Sequence, residues 1–184
     1  METTQVDPLK PDQLIKEGNT AYRRGDFLAA ARAFDAASQS YQTLGESLKA
    51  AEAANNASVA YLQADDAQAS LRVVEATPQL FAEAGDLPRQ GMALGNLAAA
   101  LEANRRLEEA VELYQQSADV LKQAGEDQLR ANVMQSLSAL QLRTGRQLEA
   151  LASMSAGLED IKHPNPKQSI LKRLLRIPFR MLDH

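Results

Sequence analysis

The sequence predicts an all-α fold of four helical hairpins followed by a short C-terminal helix. Three observations carry this reading: a 40-residue internal period, helix-spaced apolar residues inside each period, and a composition suited to close helix packing. Gly45-Glu46, Gly85-Asp86 and Gly125-Glu126 recur in one register, with Tyr41, Phe81 and Leu121 four residues ahead of each glycine. Two further series run through all four periods: Ala30, Ser70, Ala110, Ala150 and Phe34, Val74, Tyr114, Met154. Self-similarity at such a period marks a repeat architecture, in which each unit buries its apolar face only against its neighbours. With 45% hydrophobic and 4% aromatic residues and no Trp, the core is expected to consist mainly of Ala and Leu, both strong helix formers.

Taken in order, Pro11 suits the opening turn of a helix over 11–24, and Gly25-Asp26 separates it from a second helix over 27–44. A glycine at such a junction ends one helix, and the acid after it starts the next. Helices over 47–64 and 67–83 follow. Pro78 lies inside the latter and is expected to kink it or end it early, with 79–84 as a short continuation. Pro88 fits the first turn of a helix over 88–103, in which Leu94, Leu97 and Leu101 share a face. Asn104-Arg105-Arg106 supplies a polar turn, after which Leu107, Ala110, Val111, Tyr114, Ala118 and Leu121 form a continuous stripe over 107–124. Helices over 127–143 and 147–159, joined at Gly145-Arg146, complete the array. The expected organisation is a flexible segment at 1–10, a four-unit repeat domain at 11–160, a linker at 161–168 and a basic amphipathic segment at 169–184.

The stretch Gly18-Asn19-Thr20-Ala21-Tyr22-Arg23-Arg24-Gly25-Asp26-Phe27, followed by Ala30, Phe34 and Ala37, resembles the tetratricopeptide repeat (TPR) pattern. That pattern sets a small residue and an aromatic on the first helix, a Gly-Asp turn, and Ala, aromatic, small on the second. Leu97, Ala98, Leu101, Leu107, Ala110, Tyr114 and Ser117 repeat it in the third unit. The fourth offers Leu137, Ser138, Ala150, Met154 and Gly157, with polar Gln141 and Gln147 as departures. The second unit, with Ser58, Tyr61, Ala67, Ser70, Val74 and Thr77, matches least. The common unit has about 34 residues. The longer one here is similar to the variants in kinesin light chains and in cell-polarity adaptors with Leu-Gly-Asn motifs, and Leu94-Gly95-Asn96-Leu97 resembles such a motif. Small residues at Gly18, Ser58, Ala98 and Ser138 and at Ala30, Ser70, Ala110 and Ala150 would let paired helices approach closely.

The resemblance implies a right-handed α-solenoid whose first helices line a concave groove. It also implies a non-catalytic adaptor or scaffold that holds a peptide or helical segment of another protein there. The groove positions it implies are Ile15, Asn19, Tyr22 and Arg23, then Asn55, Asn56, Val59, Leu62 and Gln63. Further along they are Met92, Gly95, Asn96, Ala99, Glu102 and Ala103, then Asn132, Gln135, Ser136, Ala139, Leu142 and Arg143. Asn19, Asn56 and Asn96 either form a ladder whose amides donate to and accept from a peptide backbone or simply face solvent and tie helices together. Ile15, Met92 and Asn96 stand where a carboxylate clamp of the co-chaperone type would need bases, so a less charged or helical segment is expected. Arg23 and Arg143 are the contacts available to an acidic partner.

The net charge of −4 is unevenly spread: residues 161–184 carry +5, leaving −9 for residues 1–160. The body therefore repels nucleic acid, and no nucleic-acid partner is expected. The start of the chain, Met1 to Asp7, has acid where a secretory signal has base, so a cytoplasmic location is expected. Cysteine is absent, and the two histidines, His163 and His184, join no triad or metal-binding pattern. Neighbouring carboxylates such as Asp65-Asp66 and Glu108-Glu109 read as turn and surface residues, so neither catalysis nor a cofactor nor a metal is expected. In the tail, Ser169 could cap a helix reaching about Ile177, with Pro178 ending it. Its interaction candidates are Lys172, Arg173, Leu174, Leu175, Arg176, Phe179 and Arg180. Three roles are open to it: capping the last repeat, holding a peripheral assembly or regulatory factor on an anionic membrane surface, or binding another subunit, a homo-oligomer included.

Overall fold

The computed structural model describes residues 10–159, 161 and 164–173. Among them lie α1 (Pro11–Arg23), α2 (Phe27–Thr43), α3 (Ser47–Gln63), α4 (Ala67–Val74), α5 (Thr77–Glu83), α6 (Leu87–Ala103), α7 (Leu107–Gln123), α8 (Asp127–Arg143) and α9 (Gln147–Glu159). A further stretch, 166–173, is also helical. The fold is thus all-α and made of helical hairpins, as the period implies.

The turns recur at half the sequence period. Gly25, Gly45, Gly85, Gly125 and Gly145 all have positive φ, and Asp65 and Arg105 take the same left-handed conformation at the two intervening places. In six of these seven turns the following N–H reaches back to a carbonyl of the previous helix, as in Asp26 N to Ala21 O at 3.0 Å and Arg106 N to Leu101 O at 3.0 Å. That six-to-one bond, with the five-to-two bond from the left-handed residue itself, ties off carbonyls that the helix end leaves open. Asp26, Asp66 and Asp86 then cap the next helix, accepting from Ala29 N, Ala69 N and Arg89 N.

The helix expected over 67–83 is two helices. Pro78 has no N–H to give the carbonyl of Val74, and the Thr77 hydroxyl takes that role, donating to Val74 O at 2.9 Å. The chain breaks after Val74, and Pro78 sits in the first turn of α5, where a missing N–H costs nothing.

The small-residue positions are the helix crossings. Gly18 and Ala30, Ser58 and Ser70, Ala98 and Ala110, and Ser138 and Ala150 are all buried. A Cβ on Gly18 would come within 2.6 Å of Phe34 Cε1. Where the crossing residue is serine its hydroxyl is used internally: Ser58 and Ser70 share a bond at 2.8 Å, and Ser138 donates to Ala150 O at 2.8 Å. Gln141, a departure in the sequence pattern, is 2% exposed, and its Oε1 has no hydrogen-bond partner.

The chain divides into two compact units between Ala84 and Gly85. In the first, Ala30, Ala31 and Phe34 of α2 pack with Ala57, Ala60 and Tyr61 of α3, while Ala37 and Tyr41 pack with Ala50 and Ala53. In the second, Ala98, Leu101, Ala110, Tyr114, Leu121, Leu137 and Leu140 are buried, and Ala131 packs with Leu158 and Ile161. Helix 166–173 lies on this last cluster through Leu171. Its Gln168 Nε2 donates to Gln128 Oε1 at 3.3 Å, and Lys172 Nζ donates to Glu159 O at 2.8 Å.

Ser169 is not the cap of this helix. Asn165 is, three residues earlier: Gln168 N donates to Asn165 Oδ1 and Asn165 N to Gln168 Oε1, each at 2.9 Å. This reciprocal pair is a capping box, and Pro166 in the first turn suits it. Leu174, Leu175, Arg176, Phe179 and Arg180, named above as tail candidates, lie outside the described residues, as do residues 1–9.

Candidate partner-binding surface

The two units place the candidate residues separately. In the first, Asn19, Arg23 and Asn56 are exposed and Leu62 is half-buried. Tyr22 is half-buried too. Its ring meets Phe27 edge-on at 5.3 Å between centroids and packs against the Phe34 cluster, so much of it belongs to the core. Asn55 faces its own hairpin: its Oδ1 accepts from Thr77 Oγ1 at 3.3 Å and its Nδ2 donates to Ala51 O at 3.2 Å.

In the second unit Gln135 and Arg143 are exposed, while Asn96 and Glu102 are half-buried. Gly95 is tight rather than open, since a Cβ there would lie 3.3 Å from Ser117 Oγ and 3.4 Å from Val133 Cγ2. Glu102, in the last turn of α6, and Arg143, at the end of α8, form an ion pair. The carboxylate has a second donor in Tyr114 of α7, whose hydroxyl reaches Glu102 Oε2 at 3.0 Å. Tyr114 is 4% exposed, and burial pushes its phenol up to about 12, with a hydrogen bond to Ser136 working the other way. Three helices thus meet at one carboxylate.

Around that carboxylate opens a cleft of about 840 Å³, lined by Ala99, Glu102, Ala103, Arg105, Leu107, Tyr114, Ser136, Ala139, Leu140, Leu142, Arg143 and Thr144. Leu142 is 57% exposed, and Ala103 and Ala139 are exposed beside it. Short side chains make the space, and Leu107, Leu140 and the exposed Leu142 lend it an apolar wall. The sequence pattern places Tyr114 in the core stripe and Arg105 in a polar turn, and joins neither of them to Glu102. Tyr114 meets Glu102 because α7 folds back along α6 after the Arg105 turn and the long phenol reaches toward that turn, while Arg143 comes in from α8. Among the described residues no cluster of three or more His, Cys, Asp or Glu could hold a metal ion, and no helix is long and apolar enough to cross a membrane.

The hairpins, their crossings and their turns define a TPR-like repeat fold. Residues 89–159 match the tetratricopeptide repeat family model. A Podosopora anserina protein with nearly identical TPR-like repeats, provisionally assigned as a kinesin light chain, superposes with a TM-score of 0.53 at 16% identity, covering 90% of this chain and 94% of that one. The MamA protein gives a TM-score of 0.48 at 19% identity, over 82% of this chain and 91% of that one. No curated protein matches the sequence significantly.

Proposed function

We propose that this chain is a non-catalytic adaptor that holds a peptide or helical segment of another protein against the exposed faces of its first helices. The observation that carries this is the cleft of the second unit. It is wide enough for a segment of chain, at about 840 Å³, and joins an exposed leucine to a fixed charged pair. Interfaces of this kind combine an apolar anchor with polar groups that set register. The family model supports the reading, because it matches the stretch, 89–159, that contains the cleft. In the first unit, exposed Asn19 and Asn56 offer side-chain amides that can pair with an extended backbone.

The described part of the tail supports a covering role over a membrane one. Leu171 packs on Leu158 and Ile161, and Lys172 is engaged by the carbonyl of Glu159.

The test is affinity capture with three forms of the chain: the natural one, Leu142→Asp, and the triple variant Asn19→Ala, Asn56→Ala, Asn96→Ala, matched for fold by circular dichroism. Loss of one dominant partner with Leu142→Asp is the expected result. Loss with the triple variant alone moves the site to the asparagines, and retention by both variants sinks the groove reading.

A further inference from the structure

The cleft is asymmetric in charge. Its lining holds two arginines, Arg105 and Arg143, and one carboxylate, Glu102. Both oxygens of Glu102 are engaged inside the protein, Oε1 by Arg143 and Oε2 by the Tyr114 hydroxyl. The Glu102 side chain is only 20% exposed, whereas that of Arg143 is 63% exposed. A guanidinium carries five N–H donors in a planar fork, and one carboxylate takes two at most. Arg143 therefore presents donors to water, and Arg105 is exposed on the same rim. The apolar wall at Leu142 stands next to this cationic edge.

We propose that the cleft takes an acidic, leucine-bearing segment of a partner protein, and that a carboxylate of that segment displaces Glu102 from Arg143. The proposal rests on the adaptor reading above. Glu102 is then an internal stand-in for the partner's acid: it keeps Arg143 oriented in the free protein and must be released on binding. Arg143 is the exposed member of the pair, and Glu102 keeps the Tyr114 hydroxyl when released, so exchange of one carboxylate for another leaves neither charge without a donor or acceptor. A basic segment fares worse, because it meets two arginines and a carboxylate already held by two donors. An apolar segment without acid gains the leucine contact but leaves Arg143 where it was.

The test is fluorescence anisotropy on the full chain with three labelled 12-residue amphipathic probes of identical leucine spacing, carrying Glu, Gln or Lys at their polar positions. The Glu probe is expected to bind about tenfold more tightly than the Gln probe, with the Lys probe weaker still. Arg143→Gln is expected to erase the preference for Glu, and Arg143→Lys, which keeps the charge but loses the fork, to keep part of it. Glu102→Gln is the sharper variant. It frees Arg143 and still accepts from Tyr114, so the Glu probe is expected to tighten by about threefold to tenfold while the Gln probe stays unchanged. Weaker binding of the Glu probe by Glu102→Gln overturns the displacement step. Equal binding of the Glu and Gln probes, or preference for Lys, overturns the acidic partner and leaves the adaptor reading standing. If none of the three probes binds, the proposal falls, and a degenerate peptide array then decides whether the adaptor reading falls with it.

Discussion

Arg105 and Asp65 hold left-handed backbone, at φ 65° and 58°, where five equivalent turns hold glycine. A Cβ in that conformation crowds the carbonyl that follows, at a cost of about 1 kcal/mol, and Asp bears it better because its short polar side chain bonds locally. Arg105→Gly is therefore expected to stabilise the chain by about 1 kcal/mol and Asp65→Gly by less, read from urea midpoints at constant m-value. An unchanged midpoint for Arg105→Gly would mean that the arginine makes compensating contacts at the cleft rim. A second residue-scale effect lies at Tyr41, whose hydroxyl donates to Asp12 Oδ1 at 2.5 Å. That bond, with burial adding to it, raises the phenol to about 12 from an unfolded value near 10. The folded state thus prefers the protonated phenol. Its contribution to stability is complete below about pH 10 and is lost as pH rises towards 12, and Tyr114 follows the same sign through burial. Tyr41→Phe is expected to lower stability at neutral pH and to flatten the stability-against-pH curve between about pH 10 and 12. Equal slopes for the two proteins in that window would contradict the assignment.

At the scale of the element, the helices were legible because two independent signals agreed. Apolar spacing set the faces, and the glycine-acid pairs set the ends, so helix limits such as Phe27–Thr43 and Leu107–Gln123 fall within a residue of the sequence expectation. The second unit was legible only in part. Pro78 announced a break, but its place depended on whether the Thr77 hydroxyl could satisfy Val74, which is a matter of geometry. The tail helix starts earlier than Ser169 for a different reason: Asn165 and Gln168 satisfy each other's backbone N–H groups and Pro166 fits the first turn, so the reciprocal pair outcompetes a lone serine cap. Small residues on the helices test the packing directly. A Cβ on Gly157 would lie 2.7 Å from Met134 Cβ and 3.5 Å from Ala131 Cα, atoms that cannot swing aside. On Gly95 it would meet nothing nearer than 3.3 Å. Removing a helical glycine gains roughly 1 kcal/mol in propensity, whereas overpacking costs about 1–3 kcal/mol. Gly157→Ala is expected to destabilise, while Gly95→Ala, where the neighbours need give by only a few tenths of an ångström, is expected to change stability much less, and thermal unfolding of the pair distinguishes them. The reverse order would place the tight crossing on α6.

For the whole molecule, Glu102 and Arg143 were legible as first-helix positions from the repeat register, but their pairing was not. It depends on α6 and α8 presenting residues 41 apart to one another, with Tyr114 reaching in from α7. The tail poses the last question at this scale. In the first unit α3 covers α2, so that Ala31 and Phe34 are 0% and 3% exposed. The equivalent Leu151 and Met154 of α9 are half-buried, and Leu158 is covered by Ile161 and Leu171. Helix 166–173 begins within one residue of the phase that α3, α6 and α8 keep in the 40-residue period, and Gln168 pairs with Gln128 one full period away. The described tail therefore lies over the Leu158 end of α9 and leaves Leu151 and Met154 less covered than α3 leaves Ala31 and Phe34. Truncation after Glu159 removes Ile161 and Leu171 from the cluster and is expected to cost on the order of 2–4 kcal/mol. Leu171→Ala, which keeps the length and charge of the tail, should lose part of that. Exposure of Leu158 should also raise binding of an apolar dye in the truncated chain before it unfolds. If truncation left the urea midpoint and dye binding unchanged, the contacts of Leu171, Gln168 and Lys172 would contribute nothing to stability. The basic tail would then be available to a partner, since its ordering against α9 would no longer compete with binding elsewhere.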